Sequence, residues 1–446
     1  MNVSSQTDAR QMRRVVVASL IGATIEWYDF FLYGVVAGIV FNKLYFPGGD
    51  PLISTMLAYG TFAVGFLSRP LGGVIFGHFG DKLGRKSMLV MTLTIMGVAT
   101  MLIGMVPTYA QIGLWAPCLL LLLRVLQGIG LGGEWGGAVL MAFEYAPKEK
   151  RGYYASIPQV GLALGLCLAS GVVALLSYTL TNAQFLAWGW RLAFLLSVGL
   201  VAIGMYIRLN VMETPEFSKI KKAGAEIKIP IAEVLTKSPG NVIAGMGARF
   251  IDGVFFNIFG VFSIAYLTQT LKISQTEALL GVMAAAFVMI FTIPFFGKLS
   301  DRIGRTRIYF WGSLATGLSS FAGFWLMKSS GGSVFLVWLA IVIPLGVIYA
   351  SIYGPEAALF SELFDARVRY TGISFVYQFS GIFASGLSPI IATYLLQKNG
   401  GEPWMICIYV LCAGLISALS ASWIASRKRR QPAWHEHGAS AHATEH

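Results

Sequence analysis

Two carboxylates, Glu26 and Asp29, lie three positions apart in an apolar stretch near the start of the chain. In an α-helix they fall, together with Tyr33, within about 60° of arc. Two acids this close in a medium of low dielectric do not both ionise easily, so one of them should hold a proton. Either could therefore carry a proton, with Asp29 as the main candidate. The alternative is that one caps a neighbouring helix or neutralises an arginine.

A later apolar stretch places Arg124, Gln127 and Glu134 on one face of a helix. Arg124 and Gln127, together with Tyr33, are candidate substrate-binding residues that could donate hydrogen bonds to a ligand. Glu134 is expected to be either a second proton site or the internal counter-ion of Arg124, because burial favours pairing. The glycines within 128–137 recur at four-residue spacing, which is typical of helices that approach each other closely.

Arg69 has no acidic neighbour on its own predicted helix. A guanidinium of this kind could bind the carboxylate of a substrate through two parallel hydrogen bonds. Equally, it could form a salt bridge with Glu26 or Asp29 across the bundle. The two partners could also alternate.

The second half of the chain carries a similar set of polar residues. Arg249 and Asp252 are three positions apart and are expected to pair with each other. Tyr353 and Glu356 share a face of one predicted helix, and Gln378 lies on a polar face of the next. Tyr353 and Gln378 are plausible hydrogen-bond donors to a hydroxylated acid.

The composition identifies the elements that must position these residues. Of the 446 residues, 56% are hydrophobic and 12% are charged, too few charges for a soluble protein. Apolar runs of about 20 residues recur, each long enough to cross a bilayer as a helix and much longer than the strands of a barrel. The sequence therefore predicts an all-α integral membrane protein with spans at 15–41, 54–79, 87–106, 114–143, 153–178, 190–209, 239–269, 276–297, 308–327, 333–355, 371–396 and 403–425.

These spans group into two bundles of six. We predict an N-terminal tail at 1–14, a bundle at 15–209, a cytoplasmic linker at 210–238, a second bundle at 239–425 and a disordered tail at 426–446. Of the 33 Lys and Arg residues, 25 fall on the side that holds both tails and the linker. By the positive-inside rule this side is cytoplasmic, which explains the net charge of +12 without nucleic acid.

A glycine-rich charged motif occurs twice, between spans 2 and 3 and between spans 8 and 9. Gly77 and Gly297 are 220 positions apart, and so are Asp81 and Asp301. A repeat at a fixed offset indicates two related halves, an arrangement typical of secondary transporters.

Other kinds of chemistry find no support in the sequence. Apart from His78, at the end of the second predicted span beside the glycine-rich motif, the predicted spans contain no histidine, and the chain lacks GxSxG, HExxH and P-loop motifs. The four cysteines lie in apolar runs, and the histidines near the end of the chain are irregularly spaced. We therefore predict no enzymatic activity, no metal and no cofactor, with a proton gradient as the driving force.

The repeated motif, at 77–86 and 297–307, resembles the signature of the major facilitator superfamily, and 124–128 resembles the signature of its proton-coupled members. More narrowly, 26–30, 69–73 and 132–137 resemble the metabolite:proton symporter family. That family moves organic acids such as shikimate, 2-oxoglutarate and citrate, and zwitterions such as proline and betaine.

The resemblance implies twelve helices in two pseudo-symmetric bundles and proton-coupled symport of a small organic acid into the cell by alternating access. The alternative that it leaves open is uptake of a zwitterionic osmolyte. It implies a bacterial inner-membrane protein that works as a monomer, with substrate, protons and lipid as its partners. It also implies that Asp81, Arg85, Asp301 and Arg305 latch the two halves without contacting the substrate.

Overall fold

A computed structural model describes residues 3–83, 85–133, 135–210, 230–364 and 369–430. All regular elements in these ranges are helical. The main helices of the N-terminal half are α1 (Val3–Val36), α2 (Pro51–Leu83), α3 (Arg85–Ile103), α4 (Trp115–Gly132), α5 (Arg151–Thr179) and α6 (Ser197–Asn210). Those of the C-terminal half are α7 (Pro239–Asn257), α8 (Gln275–Ile303), α9 (Arg305–Ser329), α10 (Ala350–Ser361), α11 (Arg369–Gly381) and α12 (Trp404–Arg430).

Shorter helices extend or connect these main ones. The α-helical segments are Asn42–Leu44, Tyr109–Ile112, Trp135–Tyr145, Asn182–Gln184, Trp190–Leu195, Pro230–Lys237, Ser263–Ala265, Val334–Ile341 and Ser388–Lys398. Lys148–Lys150 is a 3₁₀ turn, and π-helical turns occur at Ala37–Phe41, Phe185–Gly189, Ile258–Phe262, Tyr266–Thr270, Val342–Ile348 and Ile382–Gly386.

The predicted spans correspond to helices along the described chain. Ten of these are apolar and long enough to cross a membrane. The predicted third and ninth spans are also helical, as α3 and α9, but α9 is less apolar because it begins at Arg305 and contains Lys328. At the other end of the chain, α12 continues to Arg430, beyond the predicted end of the last span at 425. The rest of the predicted tail and most of the linker, 211–229, lie outside the described residues.

Within the N-terminal half, α2 and α4 approach each other along a seam of glycines. A Cβ atom at Gly72 would collide with the backbone carbonyl of Ile129, and one at Gly132 with that of Arg69. A Cβ atom at Gly128 would meet the carbonyl of Gly65 in the same way. The predicted role in close helix packing is therefore confirmed for Gly128 and Gly132.

The two halves meet along at least three helix pairs, one of which joins α5 to α10. Helix α5 packs along α8, and α2 packs against α11 and the turn that follows it. Each pair joins one helix of the N-terminal half to one of the C-terminal half. Polar side chains on α1, α2, α5, α10 and α11 can therefore converge between the halves.

Candidate functional site

A cavity with an empty volume of about 470 Å³ lies between the two halves. The N-terminal half contributes more of its wall than the C-terminal half does. The lining residues are Ala23, Glu26, Trp27, Arg69, Leu131, Trp135, Ala138, Val139, Pro158, Gln159, Tyr353, Tyr377 and Gln378.

Arg69 is buried in this wall among aromatic rings. Its guanidinium carbon lies 4.1 Å from the ring centroid of Phe30, 4.4 Å from that of Phe66 and 5.2 Å from that of Trp27. Such contacts offset part of the cost of burying a cation. The Nε and Nη2 atoms of Arg69 donate no hydrogen bond to any described residue. Two donors of one guanidinium are thus available at the cavity.

The salt bridge that the sequence allowed for Arg69 is not formed in this conformation. Glu26 and Asp29 are both described, and neither forms an ion pair with Arg69. Glu26 lines the cavity together with Arg69. Asp29 is turned away from it towards α6, where its Oδ1 accepts a 2.6 Å hydrogen bond from the hydroxyl of Ser197. The two acids therefore lie in different surroundings, although they share one helix face.

Arg124 lies deeper in the N-terminal half and does not line the cavity. It bonds to Gln127 Oε1 at 2.9 Å and to the carbonyls of Phe30 and Phe62 at 3.4 Å. Its guanidinium carbon lies 3.8 Å from the centroid of Phe30, the same ring that Arg69 contacts. Arg124 forms no ion pair with a carboxylate of the described chain. Glu134, its predicted counter-ion or a second proton site, lies outside the described residues.

The predicted hydrogen-bonding residues divide between two places. Tyr33 lies near Arg124 and donates a 2.6 Å hydrogen bond to Thr61 Oγ1. Tyr353 and Gln378 line the cavity, where the Tyr353 hydroxyl and Gln378 Oε1 have no hydrogen-bond partner in the described structure. Gln378 also donates across the halves to the carbonyl of Gly132 at 3.2 Å.

A second group of buried charges occupies the C-terminal half. Arg249 bonds to Asp252, the pairing that the sequence predicts, and the hydroxyl of Tyr349 donates to the other oxygen of Asp252. Glu356 is fully buried beside them, with Oε1 3.9 Å from Nε of Arg249. No role for Glu356 was predicted from the sequence, although an acid at the end of an apolar run is a signal for a functional residue.

One aromatic contact links the two halves at the cavity. The rings of Trp135 and Tyr377 stack with centroids 3.6 Å apart and planes 12° apart. Arg249 lies over the ring of Tyr377, with its guanidinium carbon 3.8 Å from the centroid. Sequence reasoning missed this contact, because neither residue stands out from other aromatic residues of apolar helices.

At one end of the cavity, Asp301 caps α5 from the opposite half. Its two carboxylate oxygens accept hydrogen bonds from the backbone N–H groups of Gly152 at 2.8 Å and Tyr153 at 2.9 Å. A helix N-terminus favours negative charge at this position. Arg305 binds Asp301 at 3.0 Å and also bonds to Glu362. The side chains of Asp81 and Arg85, the first copy of the predicted latch, lie outside the described set.

The other end of the cavity is closed by hydrogen bonds from two glutamine side chains. Gln269 Nε2 donates to the carbonyl of Gly38 at 3.0 Å and lies 3.1 Å from Thr55 Oγ1. Gln397 Nε2 also donates to Asp50 Oδ2 at 3.1 Å. The halves therefore touch at both ends of the cavity. Among the described residues, no cluster of three or more His, Cys, Asp or Glu side chains could hold a metal ion.

Two family profiles match the chain. The profile described as "Sugar (and other) transporter" matches residues 15–238, and the profile described as "Major Facilitator Superfamily" matches residues 245–444.

Several curated proteins are similar over nearly the whole chain. The shikimate transporter of Escherichia coli (strain K12) is 40% identical over 92% of this chain and 93% of its own length. The inner membrane metabolite transport protein YhjE of the same strain is 41% identical, with coverage of 89% and 90%. The proline/betaine transporter of the same strain is 34% identical, with coverage of 94% and 85%. The predicted resemblance is thereby confirmed.

Solved structures share the fold. The xylose transporter XylE from E. coli, in a partially occluded inward-open conformation, aligns with a TM-score of 0.71 at 17% identity, covering 92% of this chain and 98% of that one. A D-xylose-proton symporter aligns with a TM-score of 0.72 at 16% identity, covering 92% and 96%. The predicted all-α fold class is confirmed by these alignments.

Proposed function

The chain belongs to the major facilitator superfamily, and we propose that it is a symporter that takes a small organic acid into the cell together with protons. It is a transporter and not an enzyme, and it is a multi-pass protein of the inner membrane. The observation that carries the choice of an organic acid is the position of Arg69 on the wall of the cavity.

Arg69 is suited to an anionic ligand for two reasons. Burying a cation without an anion is unfavourable, so a carboxylate that enters the cavity would supply the missing partner. The unbonded Nε and Nη2 atoms belong to one planar guanidinium, which can bind a carboxylate through two parallel bonds. The unbonded Tyr353 hydroxyl and Gln378 Oε1 at the same cavity favour a ligand that also carries hydroxyl groups.

Protons would supply the driving force. An anion that enters a cell against an inside-negative potential is opposed by about 2.3 kcal/mol per charge per 100 mV. A proton carried with each negative charge removes this opposition. Glu26 at the cavity and Asp29 beneath it remain the proposed carriers in the N-terminal half, together with Glu134. Arg124 and Gln127, linked to Thr100 by a 2.8 Å hydrogen bond, would hold the wall next to Arg69 in place, and Tyr33 would support them.

The contacts at the two ends of the cavity would open in turn. We assign Asp301 and Arg305 to the cytoplasmic latch, because they bind the first turn of α5 from the opposite half. Asp81 and Arg85 would act in the same way in the first copy of the motif. Both termini would then be cytoplasmic, and one chain with its two halves would suffice for transport.

A second candidate substrate class is a zwitterionic osmolyte. The cavity wall includes Trp27, Trp135 and Tyr377, and aromatic rings can bind quaternary ammonium groups. The similarity to a proline/betaine transporter favours the same class.

Uptake into proteoliposomes with an alkaline interior tests both candidates. The probes are labelled shikimate, 2-oxoglutarate, citrate, benzoate and betaine, each with and without a protonophore. We expect one of the acids to accumulate and the accumulation to collapse with the protonophore. Accumulation of betaine alone would favour the osmolyte, and equilibration insensitive to the protonophore would contradict proton symport.

A further inference from the structure

The C-terminal half holds two buried carboxylates beside one buried guanidinium. Arg249 and Asp252 bind each other directly, and Tyr349 donates its hydroxyl hydrogen to Asp252. Glu356 reaches only 3.9 Å from Arg249, and neither of its oxygens has a hydrogen-bond partner in the described part of the chain. Asp252 is therefore satisfied, and Glu356 has only the longer ion pair with Arg249 and no hydrogen bond to a described residue.

The charges of this group do not balance if all three residues are ionised. One guanidinium and two carboxylates leave a surplus negative charge, which is costly to bury at bilayer depth. A proton on Glu356 removes the surplus and leaves the Arg249–Asp252 pair intact. The charge balance of the group therefore favours a protonated Glu356.

Among the described residues that interact with Glu356, Arg249 is the cation. Two charged side chains and four tyrosines face it from its own and neighbouring helices, and Arg249 supplies the positive charge among them. They are Arg249 and Asp252 from α7, Tyr309 from α9, Tyr349 and Tyr353 from the start of α10, and Tyr377 from α11.

Arg249 also contacts the interface between the halves. Its guanidinium lies over Tyr377, which stacks on Trp135 of the N-terminal half. Both rings line the central cavity, where Arg69 lies. A change in the partner of Arg249 would therefore change a contact that holds the two halves together.

We propose that Glu356 binds and releases a proton in each transport cycle, and that Arg249 moves from Asp252 towards Glu356 when the proton leaves. The proton arrives from outside, neutralises Glu356 and leaves to the cytoplasm, so no other reactant is needed. When Glu356 is ionised, Arg249 is the cation within reach, and its shift loosens the Tyr377–Trp135 stack. The inference rests on the proposed proton symport and adds a proton site in the half that the sequence analysis left without one.

The test compares accumulation with exchange in Glu356→Gln, which resembles the protonated acid in shape and cannot ionise. The probe is labelled shikimate, or the acid of the panel that the wild type accumulates. A pH difference of about one unit supports about tenfold accumulation for each proton carried. We expect Glu356→Gln to lose this accumulation but to exchange labelled for unlabelled probe at a rate within about threefold of the wild type. Accumulation at the wild-type level would overturn the proposal.

Two control variants distinguish failure of the Glu356 proposal from a general loss of transport. Glu402→Gln alters an exposed carboxylate that pairs with Lys328 at 2.5 Å, far along the chain from the cluster, and should accumulate the probe normally. If Glu356→Gln loses exchange as well, Glu356→Asp decides: a shifted pH profile of accumulation supports the proposal, and an unchanged profile contradicts it. Failure of the wild type to respond to a protonophore would instead overturn proton symport itself.

Discussion

In the N-terminal half, Arg69 and Arg124 share the ring of Phe30 and form no ion pair with a described carboxylate, whereas in the C-terminal half Arg249 lies between two acids. The first arrangement stabilises cations through aromatic faces, carbonyls and an amide. The second stabilises one cation through direct charge pairing. Both are buried, and both lie next to the interface between the halves.

This difference indicates two tasks within one transporter. The N-terminal wall has a positive charge that an anionic ligand can pair with, so it is suited to bind an anion. The C-terminal cluster has one acid more than its cation can pair with, so it is suited to a proton. Substrate and proton could thus bind in different halves and still affect the same interface, through Trp135 and Tyr377.

The largest expected effect comes from removing both acids of the C-terminal cluster. The double variant Asp252→Asn with Glu356→Gln leaves Arg249 without a carboxylate. Breaking a buried pair so that one charge is left uncompensated costs about 3–5 kcal/mol, and we expect a loss of stability of this size. Thermal unfolding in detergent measures it, with each single variant as a control. A double variant as stable as the wild type would show that Arg249 does not need its acids.

A smaller effect, and one on binding instead of folding, is expected for Arg69→Gln. Hydrogen bonds to charged groups contribute about 1.5–3 kcal/mol, so the affinity for the transported acid should fall about tenfold to a hundredfold. Stability should be kept, because no described acid loses its partner. Exchange kinetics and ligand-induced thermal shifts measure the affinity, and thermal unfolding without ligand measures the stability. Unchanged affinity would show that Arg69 does not bind the substrate.

Only a small change in stability is expected for Asp29→Asn. The amide oxygen can still accept the hydrogen bond of Ser197, so the free energy of unfolding should change by no more than about 1 kcal/mol. If Asp29 carries a proton, gradient-driven accumulation is lost while exchange persists. If accumulation persists, proton coupling in the N-terminal half is left to Glu26 and Glu134.

Much of the fold could be read from the sequence. Apolar runs and the repeat that relates Asp81 to Asp301 predict the helices and the two halves, because the length of a span and the fixed offset of a duplication are properties of the chain alone. The glycines that α4 contributes to the seam were also predictable, since four-residue spacing places them on one helix face.

The site was predictable only within single helices. Helical periodicity places Glu26 and Asp29 on one face, but it cannot show that one faces the cavity and the other faces Ser197. The contact of Trp135 with Tyr377 depends on two helices from different halves. The proximity of Glu356 to Arg249 likewise depends on how α7 and α10 pack. Such convergence is set by tertiary packing, and no spacing in the sequence encodes it directly.

The glycine seam between α2 and α4 has a mechanical consequence. Backbone atoms in direct contact across Gly72 and Gly132 leave no layer of side chains that could rearrange, so these two helices should travel as one rigid body. Arg69 on α2 and Arg124 on α4 would then keep their separation while the halves rock. The distance between these two positive charges would then be the same whether the site is open to the outside or to the cytoplasm. The part of the cavity that changes shape would be the wall contributed by the C-terminal half.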